Sequence, residues 1–377
     1  MGRRHSRIHL APMLAAVAAA ALVAGCSSSS AEADAATCLT GRRVIAPPAA
    51  GATYLGAFPF LGNSEDEVSG AAIDGFERLQ ERDLGWVYFS DNWTSGIRFP
   101  TAAVKTIRTR GAVPFIRMMP RTTFDQYQVD PKYSMASIVS GRYDRQLRAW
   151  GRAAAKAKGP LMVEFGTEVN GAWFPWNGKW NGGATKTRYG SPRWPDGPER
   201  FRDAYRRIVR LTRAAGATNV TWVFHVDASP EPAAAWNAAR WYYPGDAYVD
   251  WIGLSAYGPQ TADEELEQFD DVFAPGYRAA AALSKARPLA LLEFAIADGP
   301  KWDEAAWTRD AFTALESGRY PRVRGVAWWH ERWINEDESV SDLRIDSSPE
   351  QLRAYRDGVA TSRYTTKLQT RCVRGSG

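Results

Sequence analysis

Leu161-Met162-Val163-Glu164-Phe165-Gly166-Thr167-Glu168 starts as an almost continuous apolar run and ends in polar and charged residues. A strand buried on both faces reads this way, apolar along its length and polar where it emerges. The run at 161–166 is followed by a Gly, Trp and Pro-rich loop at 177–198. A helical pattern comes next at 200–215, with Phe201, Tyr205, Ile208 and Leu211 at helical spacing. Asp196-Gly197-Pro198-Glu199 predicts a capping box opening that helix. The same alternation recurs along the chain, with strands expected at 54–60, 86–90, 113–118, 161–166, 220–225, 249–254, 289–294 and 325–329. Amphipathic segments such as 73–83 and 145–158 lie between them, and a last helix is expected near 349–361. Eight strand–helix units in about 320 residues predict a single-domain (β/α)8 TIM barrel, with a doubly wound open sheet as the other architecture this alternation allows.

The composition fits that fold. With 377 residues, 45% hydrophobic and 24% charged, the chain can bury a large core, which excludes disordered and fibrous classes. Its net charge of +5 suggests a polyanion partner only until it is located. Arg3, Arg4 and Arg7 fall in the first 25 residues with no acid beside them, leaving 44 basic against 42 acidic residues in the remainder. With no basic cluster, no nucleic-acid partner is expected.

The N-terminus reads as an export signal: a basic stretch, then an Ala-rich apolar run at 8–24, ending in Leu22-Val23-Ala24-Gly25-Cys26. That pentapeptide resembles the lipobox of bacterial lipoproteins, which implies lipidation at Cys26 and a membrane contact through that anchor alone. The expected organisation is a signal peptide at 1–25, a lipidated Cys and flexible tether at 26–50, and a catalytic barrel at 51–377. Export implies an oxidising compartment, in which Cys38 and Cys372 are expected to form a disulfide joining the termini. In the chain-entropy model so long a loop contributes about 5 kcal/mol. Three Cys and four His without zinc-like spacing give no metal site, and no cofactor is expected.

Chemistry in a barrel sits at the C-terminal ends of the strands. On the fourth run Glu164, Gly166 and Glu168 share a face, and on the seventh Leu291 and Glu293 do. Two carboxylates at those strand tops suit a retaining glycosidase, whose carboxyl groups stand about 5 to 5.5 Å apart. Tryptophan strengthens the reading. The stretch 173–194 holds Trp173, Trp176, Trp180 and Trp194, and Trp328, Trp329 and Trp333 follow the eighth strand; indole faces pack on the apolar faces of sugar rings.

The segment Thr167-Glu168-Val169-Asn170-Gly171-Ala172-Trp173-Phe174-Pro175-Trp176 resembles the acid/base motif of glycoside hydrolase family 26, usually His-Glu-Met-Asn-Gly-x-Trp-Phe-Pro-Trp. Further matches run in order from Phe201-Arg202 through Asp250-Trp251-Ile252-Gly253-Leu254 to Tyr257 and Glu293. The resemblance implies Glu168 as acid/base, Glu293 as nucleophile and Tyr257 as the residue orienting it. It also implies sugar contacts from Trp173, Trp176, Asn170 and a strand-eight tryptophan, with Trp328 preferred to Trp329. His225 is a further cleft candidate, Asp91 and Trp93 are weaker ones, and Glu331 is expected in an ion pair.

Three positions depart from the family pattern: Thr167 replaces its His, Glu164 its Arg, and Ser255 an Asp that many mannan-cleaving members carry. Glu164 is expected to pair with Arg117 of the third strand. The expected function is a monomeric retaining β-glycoside hydrolase acting on a polysaccharide, endo-β-1,4-mannanase-like. A β-glucanase, an exopolysaccharide-processing transglycosylase and a silent glycan-binding lipoprotein are the alternatives.

Overall fold

The computed structural model describes residues 41–60, 65–335 and 337–374. The expected signal peptide, the lipidated Cys26, most of the tether and Cys38 lie outside them. Eight parallel strands form the barrel: β1 (Thr53–Phe58), β2 (Trp86–Asn92), β3 (Val113–Met119), β4 (Leu161–Phe165), β5 (Val220–Asp227), β6 (Trp251–Ser255), β7 (Leu289–Phe294) and β8 (Val323–Trp329). The sheet closes because β1 pairs with β2 on one side and with β8 on the other, from Tyr54↔Gly325 to Phe58↔Trp329. Closure excludes the open doubly wound sheet.

The inward side chains change character along the barrel axis. Trp86 fills the lower interior, and Gly56 and Gly325 make room for its indole: a Cβ at either would lie 2.3 Å or 2.5 Å from the ring. Tyr54 and Phe115 meet Trp86 edge-on. One layer toward the C-terminal ends, the buried residues turn polar: Ser90, Arg117, Glu164, His225, Ser255 and Glu293. The barrel floor is therefore an apolar plug and its mouth a charged basin, which is where this fold carries chemistry.

Below the plug, Arg42–Ile45 pairs antiparallel with Thr370–Val373, so the tether expected over 26–50 ends before residue 42. Arg42 makes a two-pronged pair with Asp250 at 2.9 Å, tying this ribbon to the start of β6. Cys372 lies opposite Arg43 in the ribbon. The helix at Asp196–Ala214 forms as expected, but Pro195 takes the N-cap position without a side-chain bond, so there is no capping box. Asp196 instead turns its carboxyl back to Thr185 and Arg188, and Glu199 accepts from Ser191 and Arg202.

Candidate active site

Glu168 reaches the basin because the chain leaves β4 in two left-handed steps, at Gly166 (φ +65°) and at Glu168 itself (φ +46°). Gly166 is required there, since a Cβ would meet the rings of Phe201 and Trp176 at 2.8 and 2.9 Å. A non-glycine residue in this region costs about 1 to 3 kcal/mol, and such residues cluster at functional sites. These turns also break strict alternation, so Thr167 and Glu168 both enter the site.

Glu293 enters by a different device. Strand β7 shifts register against β6 between Leu254↔Leu291 and Ser255↔Glu293, a one-residue bulge. Leu292 packs where a side chain on Gly253 would stand, 2.3 Å from its ideal Cβ.

Hydrogen-bond donors converge on the Glu293 carboxylate. Its Oε2 accepts from the Tyr257 hydroxyl at 2.9 Å. Its Oε1 accepts from Thr167 at 3.4 Å, and lies 3.1 Å from the Tyr88 hydroxyl and 3.2 Å from the Arg117 guanidinium. Glu168 has a sparser setting: the Trp173 indole donates to its Oε2 at 2.8 Å. Burial pushes both carboxyls up to about 7, reinforced at Glu168 by the charge of Asp227 and opposed at Glu293 by Arg117. With three hydroxyls and a guanidinium facing it, Glu293 is the one better suited to carry the negative charge.

Around this pair lies a fully buried network. Glu164 sits 3.6 Å from Arg117, with which it is in register, and 3.1 Å from Nδ1 of His225. Tyr88 donates to Glu164 at 2.6 Å, and Thr167 lies 2.8 Å from His225 Nδ1. His225 Nε2 meets the Ser255 hydroxyl at 2.9 Å. Burial alone would raise Glu164 and lower His225, but their mutual attraction reverses both, holding Glu164 below and His225 above their ordinary values. Glu164, His225 and Glu293 could in principle chelate a cation. Arg117 already brings a positive charge to two of the three, and their atoms are spaced by hydrogen bonds, so the cluster reads as a charge network.

Arg117→Met would leave Glu164 and Glu293 buried against lost charge. It is expected to destabilise the protein by about 3 to 5 kcal/mol in urea unfolding. A change within about 0.5 kcal/mol, as for an ordinary surface site, would refute the role given to this pair.

Several expected sugar contacts are placed elsewhere. Trp328 is 0% exposed and faces the outer helices, packing edge-on against Phe294 and Tyr355 and donating to the Leu343 carbonyl. The inward tryptophan of β8 is Trp329, stacked on Phe58 with centroids 4.0 Å apart and with Arg117 4.7 Å from its centroid. Trp176 is buried, stacked on Phe174 and bonded to the Thr167 carbonyl, so it supports the β4 turn. Asn170 spends its amide on the Asp227 backbone at 2.8 Å in both directions, joining the loops after β4 and β5. His225 belongs to the buried network and has both ring nitrogens engaged. Trp93 is buried against Tyr133 and Phe165, and burial pushes Asp91 well above the usual carboxylate range beside Trp150. Trp194 packs edge-on against Trp241, and Trp180 bonds the Ala172 carbonyl. Glu331 accepts from the Trp329 indole at 2.6 Å and joins no ion pair among the described residues.

Trp173 lies beside Glu168. Its indole lies over Gly171, whose absent Cβ would be 2.2 Å from the ring, and its Nε1 points to Glu168. Two residues escaped the sequence reading. Tyr88 shares the inward face of β2 with Trp86, and Asp227 shares that of β5 with His225; strand parity could have flagged both.

Asp227 lies next to Glu168, and burial, with Glu293 contributing, pushes its carboxyl up to about 7. Each of two adjacent carboxyls makes ionisation of the other harder. Removing the Asp227 charge makes ionisation of Glu168 easier, so its pKa falls. Asp227→Asn is therefore expected to move the alkaline limb of the pH–rate profile to lower pH and leave the acid limb in place. An unchanged alkaline limb would show that the two groups do not couple.

Residues 121–295, a span that contains both Glu168 and Glu293, match the sequence profile of Glycosyl hydrolase family 26. Endoglucanase H of Acetivibrio thermocellus is 29% identical over 296 residues, 78% of this chain but only 29% of that protein. A Bacillus subtilis mannan endo-1,4-β-mannosidase is 28% identical over 167 residues, covering 44% of this chain and 38% of the enzyme. The chain thus spans well under half the length of these relatives. Among solved structures, a modular endo-β-1,4-mannanase from Cellulomonas fimi superposes with a TM-score of 0.58 at 17% identity, over 87% of this chain and 76% of that one. GH26A from Muricauda sp. gives 0.51 at 15% identity, over 83% and 91%. These superpositions establish the shared barrel, and the match to the Glycosyl hydrolase family 26 profile runs over both site glutamates.

Proposed function

We propose that the protein is a retaining β-glycoside hydrolase acting on a polysaccharide, with an endo-β-1,4-mannanase-like activity. The observation that carries this reading is the unequal pair of buried glutamates: Glu293 faces hydroxyls and a guanidinium, while Glu168, bonded to the Trp173 indole, faces the carboxyl of Asp227. Glu293 Oε2, with Tyr257 as its donor, attacks the anomeric carbon as the glycosidic bond breaks, and Glu168 passes its proton to the leaving oxygen. The product is a covalent glycosyl-enzyme. Glu168, now ionised, takes a proton from water, whose oxygen attacks the same carbon and frees Glu293. Two displacements return the original configuration.

A β-glucan is the second reading, supported by the name of the relative matched over 78% of the chain, an endoglucanase. The changed positions Thr167, Glu164 and Ser255 all lie in the network beneath the glutamates, where they act on the bound sugar through Glu293 and His225. Reducing-sugar release from galactomannan, β-1,4-glucan and β-1,3-xylan, with Glu168→Ala as control, separates the readings. No release from any of the three would overturn them both.

The export of this barrel as a Cys26-anchored monomer, with Cys38 bridged to Cys372, belongs to the same proposal. Its support is the sequence at 1–26 and the place of Cys372 in the terminal ribbon.

A further inference from the structure

Because Glu168 serves the leaving group, the sugars beyond the cleaved bond lie on its side of the basin. Trp173 borders that side, with its indole anchored to Glu168. Next along the rim stands Tyr127, from the loop between β3 and the short helix Met135–Val139. Its amide donates to the Trp173 carbonyl at 3.1 Å, and its hydroxyl donates to Glu231 Oε2 at 3.2 Å. Glu231 is itself fixed to the loop after β4: its amide donates to the Asn170 carbonyl at 3.0 Å, and it forms a β-bridge with Gly171. Three loops, after β3, β4 and β5, are thus stitched together at Tyr127. The residue also holds a left-handed backbone (φ +57°), which a bulky side chain adopts only when its surroundings insist. For all this anchorage the side chain stays 50% exposed. A large ring held in place yet left open to solvent, on a loop bonded to Trp173, suits the apolar face of a pyranose.

We propose that Tyr127 is a sugar-stacking residue on the leaving-group side, holding the second sugar past the cleaved bond while Trp173 holds the first. The inference rests on the hydrolase reading, with Glu168 as the acid. Its ligand is an uncharged β-linked pyranose, since Glu168, Asp227 and Glu231 line the approach with carboxyls. Stacking on the far side of the bond lowers the barrier for a long substrate and contributes nothing when no sugar occupies that side.

The test compares β-1,4-mannohexaose with β-mannobiosyl fluoride, whose departing fluoride fills no sugar position beyond the cut, in the wild type and in Tyr127→Ala, Tyr127→Phe and Glu293→Gln. Tyr127→Ala should lower kcat/KM on the hexaose about tenfold and leave the fluoride reaction unchanged. Tyr127→Phe keeps the ring and loses only the bond to Glu231, so it should stay near wild type on both. Equal losses on hexaose and fluoride, or a Phe variant as impaired as the Ala variant, would make Tyr127 a loop clamp and overturn the proposal. An active wild type with no Tyr127 effect overturns the sugar site alone. Fluoride turnover that survives Glu293→Gln, or is absent from the wild type, overturns the mannanase-like reading and the sugar site with it.

Discussion

Glu293→Gln should lose about four orders of magnitude or more in kcat and still fold. The amide keeps the shape of the side chain but cannot form the ester on which the first displacement depends. It also loses the charge that Arg117 faces at 3.2 Å and that the Tyr88 and Tyr257 hydroxyls solvate. Steady-state rates on the preferred polysaccharide, with a thermal melt as the folding control, check this. Glu293→Ala adds a stereochemical signature. Azide entering the space of the missing carboxylate attacks from the same face and gives an inverted glycosyl azide. A Gln variant within tenfold of wild type, or an azide product of retained configuration, would remove Glu293 from the nucleophile's role.

The barrel was legible because its strands are buried on both faces and so appear as apolar runs between amphipathic helices. The run at 289–294 matches β7 residue for residue, while β5 extends two residues past its expected end, to Asp227. Those two residues mattered, because Asp227 is the carboxyl beside Glu168. The glutamates were legible through strand position and motif. Which tryptophan faced the basin was not. Trp328 and Trp329 are adjacent, so one must point out, and the choice turns on register between β8 and its neighbours. Here the pairing is irregular between β7 and β8 but unbroken with β1, which sets Trp329 against Phe58. A bulge leaves little trace in a single strand's alternation, so parity arguments fail beyond it.

The departures from the family pattern are connected in space. Where the family has Arg, Glu164 stands, and a guanidinium arrives instead from β3 as Arg117, in register beside it. Where the family has His, Thr167 stands, and an imidazole arrives from β5 as His225, 2.8 Å from the Thr167 hydroxyl. The charges beneath Glu293 are thus supplied by β3, β4 and β5 together. Sequence reading sees these positions one at a time; that they meet in one network depends on which strands are neighbours.

The second large effect falls on Glu168, and its size should depend on the leaving group. With a natural sugar as leaving group, Glu168→Ala should cost about 10² to 10⁴ in kcat/KM, the usual worth of a positioned acid. With 2,4-dinitrophenolate, which departs without protonation, the first displacement should proceed near the wild-type rate. Loss of the base then slows the second displacement, so the glycosyl-enzyme accumulates and a burst of dinitrophenolate precedes slow turnover. Azide, which attacks without base assistance, should accelerate that second step and yield a glycosyl azide of retained configuration, opposite to the product from Glu293→Ala. The buried setting of Glu168 makes the contrast sharp: the Trp173 indole holds it at 2.8 Å, and burial with the neighbouring Asp227 charge keeps its proton on up to about pH 7. Equal losses on both substrates, with no burst and no response to azide, would show that Glu168 acts on the fold or on binding rather than on the proton.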